Sequence, residues 1–205
     1  MIEHAPAAAD FDLWRDRYGT MTDDERRAWD ARCFRHYPEQ AHGDLKAIQR
    51  FTQGGGHVVE VGGWRGDHAA ACLASNPAIS SWTNIEFCRE AAESPRTSDP
   101  RYRVVVPPGF RWWNEGVVLT GDRLVLSHVI EHLSEADLRG LLRAAAAIPR
   151  VYAEAPLSLS GENWAGYLGT HILPIGWLEV ENLFRDHGFG VDLHLPDARI
   201  FARPA

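Results

Sequence analysis

From residue 57 onward, short apolar runs alternate with stretches of helical spacing, and this alternation narrows the architecture more than any other feature of the chain. The runs are His57–Val61, Trp82–Phe87, Tyr102–Val106, Arg123–Ser127, Val151–Ala155, Val191–Leu195 and Arg199–Ala202. Several are almost continuously apolar, as strands covered on both faces tend to be. Between them, Asp67–Ser75, Ser134–Ala147 and Trp177–His187 carry apolar residues at helical intervals. Strands separated by helices join through right-handed crossovers and make a mostly parallel sheet. Only Pro196, Asp197 and Ala198 lie between the last two runs, too few for a crossover, so these two form an antiparallel hairpin. The expectation is an α/β domain over residues 57–205, with a mostly parallel seven-stranded sheet and an antiparallel C-terminal hairpin.

The helix ends carry their own signals. Ser134 is placed as an N-cap with Asp137 at the third helical position, and Leu133 is set to staple onto Leu138. Trp177, Val180 and Phe184 share one face of the last helix, which Gly188 closes. Residues 1–56 read as a separate helical segment that packs onto the main domain as a cap on the substrate side. Phe11, Trp14 and Tyr18 form one stripe there. Thr22 and Glu25 make a capping box, opening a helix with Trp29, Cys33 and Tyr37 on one face. Leu45, Ile48 and Phe51 mark a third stretch, ended by Gly54, Gly55 and Gly56.

A length of 205 residues accommodates one such domain and an appendage, not two full domains. The net charge of −7 argues against a broad nucleic-acid footprint and, more weakly, against a polyanionic substrate. Cys33, Cys72 and Cys88 are odd in number and widely spaced, so they suggest neither a disulfide framework nor a Cys-x-x-Cys metal pair. No apolar run approaches a membrane span, and the acidic start MIEHAPAAADFD lacks a signal-peptide core. The expected setting is cytoplasmic, with no membrane and no nucleic-acid partner, as a monomer or homodimer.

Three elements carry chemistry. Glu60-Val-Gly62-Gly63-Trp64-Arg65-Gly66-Asp67 is a strand end, a glycine-rich turn and a helix start. In a parallel sheet such a turn either opens a ligand crevice or simply makes a tight connection. Glu86 lies at the end of the stretch Trp82-Thr-Asn-Ile-Glu86 in the second run, 26 residues after Glu60, where a carboxylate can accept both hydroxyls of a ribose. Together these two point to a nucleoside-containing ligand. The third is Arg123-Leu-Val-Leu-Ser127-His128-Val-Ile-Glu131-His132-Leu133, running from the fourth strand to the capped helix.

At these residues the chain resembles the class I S-adenosylmethionine-dependent methyltransferases, in the small-molecule branch with a His-Val-Ile-Glu-His-Leu motif after the fourth strand. The resemblance covers residues 57–203 and extends to the stretch from Thr170 to Phe189. It implies a Rossmann-like methyltransferase fold with S-adenosylmethionine as cofactor. Glu60 would belong to the cofactor site, Gly62, Gly63 and Gly66 would line the methionine end, Glu86 would hold the ribose, Phe87 would lie beside the adenine, and Ser127 and His128 would lie near the sulfonium. The family's middle glycine is Trp64 here, which changes the floor beneath the methionine part. The segment from Pro107 to Glu115 matches no family pattern; it either stacks adenine or packs.

His128, Glu131 and His132 also spell H-x-x-E-H. A zinc peptidase needs both histidines on one helix, but here the helix signals begin only at Ser134. A metal-assisted methyltransferase using His128, Glu131, His132 and His171 is an alternative, as is a scaffold that binds the cofactor without methylating. The main expectation involves no metal. Methyl transfer needs an aligned acceptor and a base, and histidine titrates in the useful range. The candidates are His128 and His171. Trp164, Tyr167 and His171 lie in the long segment after the fifth strand, the expected substrate-contact loop. With only the N-terminal segment and residues 107–121 and 156–174 left to enclose it, a small acceptor or an open site is favoured over a deeply enclosed one, and the expectation is a small molecule methylated on oxygen in preference to nitrogen.

Overall fold

The computed structural model describes residues 21–36, 44–157, 173, 175–195 and 198–204. Helices α1 (Asp23–His36) and α2 (Leu45–Phe51) precede β1 (Gly56–Val61). There follow α3 (Asp67–Ser75), β2 (Ile79–Ile85), α4 (Arg89–Ala92), β3 (Tyr102–Val105), β4 (Arg123–Ser127), α5 (Glu135–Ala144), β5 (Arg150–Glu154), α6 (Trp177–Asp186), β6 (Gly190–Leu195) and β7 (Ala198–Ala202). Two 3₁₀ turns, Trp112–Glu115 and Ile130–His132, flank β4. The seven strands lie in the order β3-β2-β1-β4-β5-β7-β6. The first five are parallel, while β7 runs antiparallel to both β5 and β6, which gives the expected C-terminal hairpin.

Both faces of the central strands are buried, and the period of two sorts their residues between them. Leu124, Leu126, Val151, Ala153 and Phe201 join one cluster with Leu138, Leu141 and Leu142 of α5 and Val180 and Phe184 of α6. Val125, Tyr152 and Ile200, their neighbours along the strands, join the opposite cluster with Ile48 and Phe51 of α2 and Leu73 of α3. This explains why the central runs are apolar without alternation.

The ends of the elements follow local chemistry. At α1, Thr22 N–H donates to Glu25 Oε2 (2.8 Å) and Glu25 N–H to Thr22 Oγ (3.3 Å), the reciprocal pair of a capping box. Ser134 Oγ accepts from Asp137 N–H (3.1 Å), and Leu133 and Leu138 are both buried. Gly188, at φ 83°, follows α6. Strand β2 starts at Ile79, three residues before its apolar run, because Ile79 and Ser81 pair with Gly56 and His57 of β1 whatever the polarity of the serines. Leu45 is exposed, and Ala47 takes its place beside Ile48 and Phe51. The stripe Phe11, Trp14, Tyr18 and the side chains of Cys33 and Tyr37 lie outside the described residues.

Candidate functional site

The chain runs outward in one direction from β1 through β2 to β3, and in the other from β4 to β5, so a crevice opens at the carboxyl ends of β1 and β4. The loop from Gly62 to Gly66 borders it and hangs from the end of β2. Gly62 N–H donates to Ile85 O (2.9 Å), Gly63 N–H to Asn84 Oδ1 (3.0 Å) and Trp64 N–H to Glu86 Oε2 (2.8 Å). Asn84 Nδ2 returns a bond to Trp64 O (3.1 Å). Beneath the loop, the buried Glu60 carboxylate accepts from His68 Nδ1 (2.7 Å) and Trp82 Nε1 (2.9 Å). A Cβ on Gly63 would stand 2.5 Å from that carboxylate, so this glycine is required by what lies under it. Trp64 holds φ 50°, in the left-handed region that a side chain rarely adopts.

Glu86 is almost wholly buried. Its Oε2 takes Trp64 N–H and its Oε1 takes Cys88 N–H (2.7 Å), so it ties the glycine loop to the loop after β2. Burial pushes its carboxyl up to about 8 against the pull of these two N–H groups, and Asp30 and Glu60 raise it further. Asp30 of α1 is itself pushed up to about 7, by burial first and against the lowering influence of Arg26 and Arg27. The approach of Asp30 to Glu86 was not recognisable in the sequence.

Across the crevice, Ser127 ends β4 buried, and His128 follows at φ 52°. His128 N–H donates to Glu154 O (2.8 Å). Its Nδ1 lies 3.2 Å from Oε1 of Glu131, whose carboxylate is fully buried, and His132 Nε2 is 3.9 Å from the same oxygen. Burial works against charge on both members of the close pair. Even so, the bond and the opposite charge lower the Glu131 carboxyl and raise the His128 imidazole, and Glu154 adds to the latter. His128 stands at a strand end and His132 in a 3₁₀ turn, so the two do not share the helix that a zinc peptidase would need. Among the described residues, no three or more His, Cys, Asp and Glu side chains are grouped to hold a metal ion.

The structure brings together Glu60, Gly62, Gly63, Gly66 and Glu86 around one loop, with Ser127 and His128 at the end of the neighbouring strand. Phe87 packs edge-on against Phe110 (centroids 5.6 Å apart). Trp112 and Trp113 are buried in the core cluster that includes α5, so this part of the segment after β3 packs. Trp164, Tyr167 and His171 lie outside the described residues.

No family model matches the chain, and no curated protein matches it. Solved structures do. The mitomycin 7-O-methyltransferase MmcR superposes with a TM-score of 0.60 at 20% identity, over 78% of this chain and 54% of that one. CalO1, a methyltransferase of calicheamicin biosynthesis in its SAH-bound form, gives 0.58 at 20% identity, over 98% and 64%. NcsB1, an O-methyltransferase from neocarzinostatin biosynthesis in complex with S-adenosyl-L-homocysteine and 1,4-dihydroxy-2-naphthoic acid, gives 0.55 at 21% identity, over 88% and 58%. The chain thus spans between half and two thirds of the length of these three. Its fold is the Rossmann-like methyltransferase fold. Among the described residues, no helix is long and apolar enough to cross a membrane.

Proposed function

We propose that the chain is an S-adenosylmethionine-dependent methyltransferase that methylates a hydroxyl of a small molecule, with His128 as general base. The observation that carries this reading is the placement of His128. It stands at the carboxyl end of β4, on the strand next to the glycine loop, with Nδ1 turned onto a buried carboxylate.

The residues of the crevice suit the cofactor. When ionised, each oxygen of Glu86 accepts one N–H and retains a second lone pair, which matches the two hydroxyls of a ribose. Bound there, S-adenosylmethionine would supply a methyl group on a sulfonium, which leaves without help from an acid. The protein's tasks are then alignment and proton removal. His128 takes the acceptor's proton, and Glu131 stabilises the imidazolium that results. Because this pairing raises the His128 pKa, the basic form is reached at a higher pH than for an ordinary histidine. The absence of a basic tract and the two neighbours described as O-methyltransferases, MmcR and NcsB1, support a small acceptor.

Calorimetry with S-adenosylhomocysteine, followed by methyl transfer from labelled S-adenosylmethionine to a panel of phenols, enols and alcohols, tests the proposal. Binding together with turnover on a hydroxyl is the expected result. If neither the cofactor nor its demethylated product binds, the proposal fails. Tight binding without turnover across the panel would favour a cofactor-binding protein on the same scaffold.

A further inference from the structure

The end of β3 leaves carbonyl groups that the sheet cannot use. Val105 O still accepts from Glu86 N–H (3.0 Å), but Pro107 and Pro108 then end the strand, since neither has an N–H for the ladder. The loop after β2 departs at the same level with the carbonyl of Phe87. One side chain collects all three groups. Arg27 of α1 donates from Nη1 to Phe87 O (2.8 Å) and from Nη2 to Pro107 O (2.9 Å) and Pro108 O (3.0 Å). Its guanidinium lies 4.0 Å above the centroid of the Phe87 ring. The neighbouring helix residues follow the same line. Arg26 lies 3.9 Å above the Phe110 ring, and Asp23 Oδ1 accepts from Phe110 N–H (3.2 Å).

We propose that Arg27 is a positioning residue for the nucleoside end of the cofactor, tying the loops after β2 and β3 into the wall against which the base is held. The inference rests on the cofactor reading above. A planar fork with fixed donor directions suits this task, because it sets the separation of two loops that no β-ladder connects beyond Val105. A lysine in its place has no fork and cannot lie flat on the Phe87 ring. Helix α1 thereby becomes part of the cofactor site, although it precedes the sheet in sequence.

The test is calorimetry with S-adenosylhomocysteine and with 5′-methylthioadenosine, which keeps the nucleoside and lacks the amino-acid tail, on the full chain and on Arg27→Ala, Arg27→Lys and Arg27→Gln. The expected result is that Arg27→Ala weakens both ligands at least tenfold, with Arg27→Lys and Arg27→Gln recovering only part. In the methyl-transfer assay, KM for S-adenosylmethionine rises by a similar factor while kcat at saturation stays within about threefold. The two milder variants keep the test valid if Arg27→Ala fails to fold. Unchanged affinity in folded variants overturns the role of Arg27 and leaves the cofactor reading intact. Tighter binding by Arg27→Ala also overturns it, since the guanidinium would then be standing where the base belongs. If the unaltered chain binds neither ligand, the cofactor reading falls and the role of Arg27 falls with it.

Discussion

Replacing Gly63 by alanine tests whether the glycine loop is a rigid part built on buried groups. The added Cβ would lie 2.5 Å from Cδ and Oε2 of Glu60 and 2.7 Å from Oδ1 of Asn84. Neither neighbour is free to give way. Glu60 is fixed by His68 and Trp82, and Asn84 by Gly63 N–H, Trp64 O and the Tyr102 hydroxyl at 3.0–3.1 Å. Overpacking of this kind costs ~1–3 kcal/mol, and displacing a bond to a buried charged group adds ~1.5–3 kcal/mol. A total of ~2.5–6 kcal/mol lowers Tm by about 5 °C at the least and about 24 °C at the most in a domain of this size. Gly116→Ala is the control. At φ 75° it meets nothing within 4 Å, so it carries only the left-handed penalty of ~1–2 kcal/mol. Thermal unfolding by circular dichroism compares the two, and calorimetry adds affinity for S-adenosylhomocysteine, expected to fall at least tenfold in Gly63→Ala alone. If Gly63→Ala melts no lower than Gly116→Ala and binds normally, the loop is soft and the bracing by Glu60 and Asn84 is wrong.

His128→Ala is expected to lower methyl transfer by about 100-fold or more. His128→Gly should be equally inactive yet more stable by about 1 kcal/mol, because glycine tolerates φ 52°; near-normal turnover in either variant removes His128 as the base. Burial holds the Glu86 carboxyl at about 8, above its ordinary 4.5, so the folded chain binds more protons than the unfolded one between those values. The stabilisation is full below about pH 4.5 and is lost as pH rises through 8; urea midpoints should fall from pH 6 to pH 8.5, and Glu86→Gln should flatten that fall, whereas an equal slope in both proteins contradicts the shift. Trp82→Phe removes the donor to Glu60 Oε2 and should cost ~1.5–3 kcal/mol in denaturant unfolding. A loss under 0.5 kcal/mol would mean that His68 alone holds the carboxylate.

The frame of the molecule was legible because it depends on local rules. Burial on both faces left the centres of β4 and β5 readable as apolar runs without alternation. Thr22 with Glu25 and Ser134 with Asp137 announced helix starts through bonds between residues three apart. The polar interior was less visible, since its partners meet only after the sheet forms. Trp82 is 22 residues from Glu60, and Arg27 is 60 to 81 residues from its carbonyls. Glu86 could be placed at its strand end, but its two backbone partners could not. The Trp112 and Trp113 segment fitted both stacking and packing until Gly140 of α5 was seen to leave room for the Trp113 ring, which a Cβ there would meet at 2.6 Å.

Local preference is most clearly overridden at two positions. Among the described residues, Trp64 and His128 are the non-glycine residues with positive φ, and each conformation costs ~1–2 kcal/mol relative to ordinary backbone. One follows β1 and the other follows β4, adjacent strands whose carboxyl ends form the crevice. Each is pinned by backbone bonds from the next strand outward. Trp64 N–H is held by Glu86 after β2, and His128 N–H by Glu154 O at the end of β5. Strain persists only where surrounding structure enforces it, and here the enforcing groups are the ends of the four central strands. A sequence selected for stability alone would place glycine or asparagine at both sites. The two departures from that preference fall at the ends of β1 and β4, beside the crevice to which the proposed chemistry has been assigned.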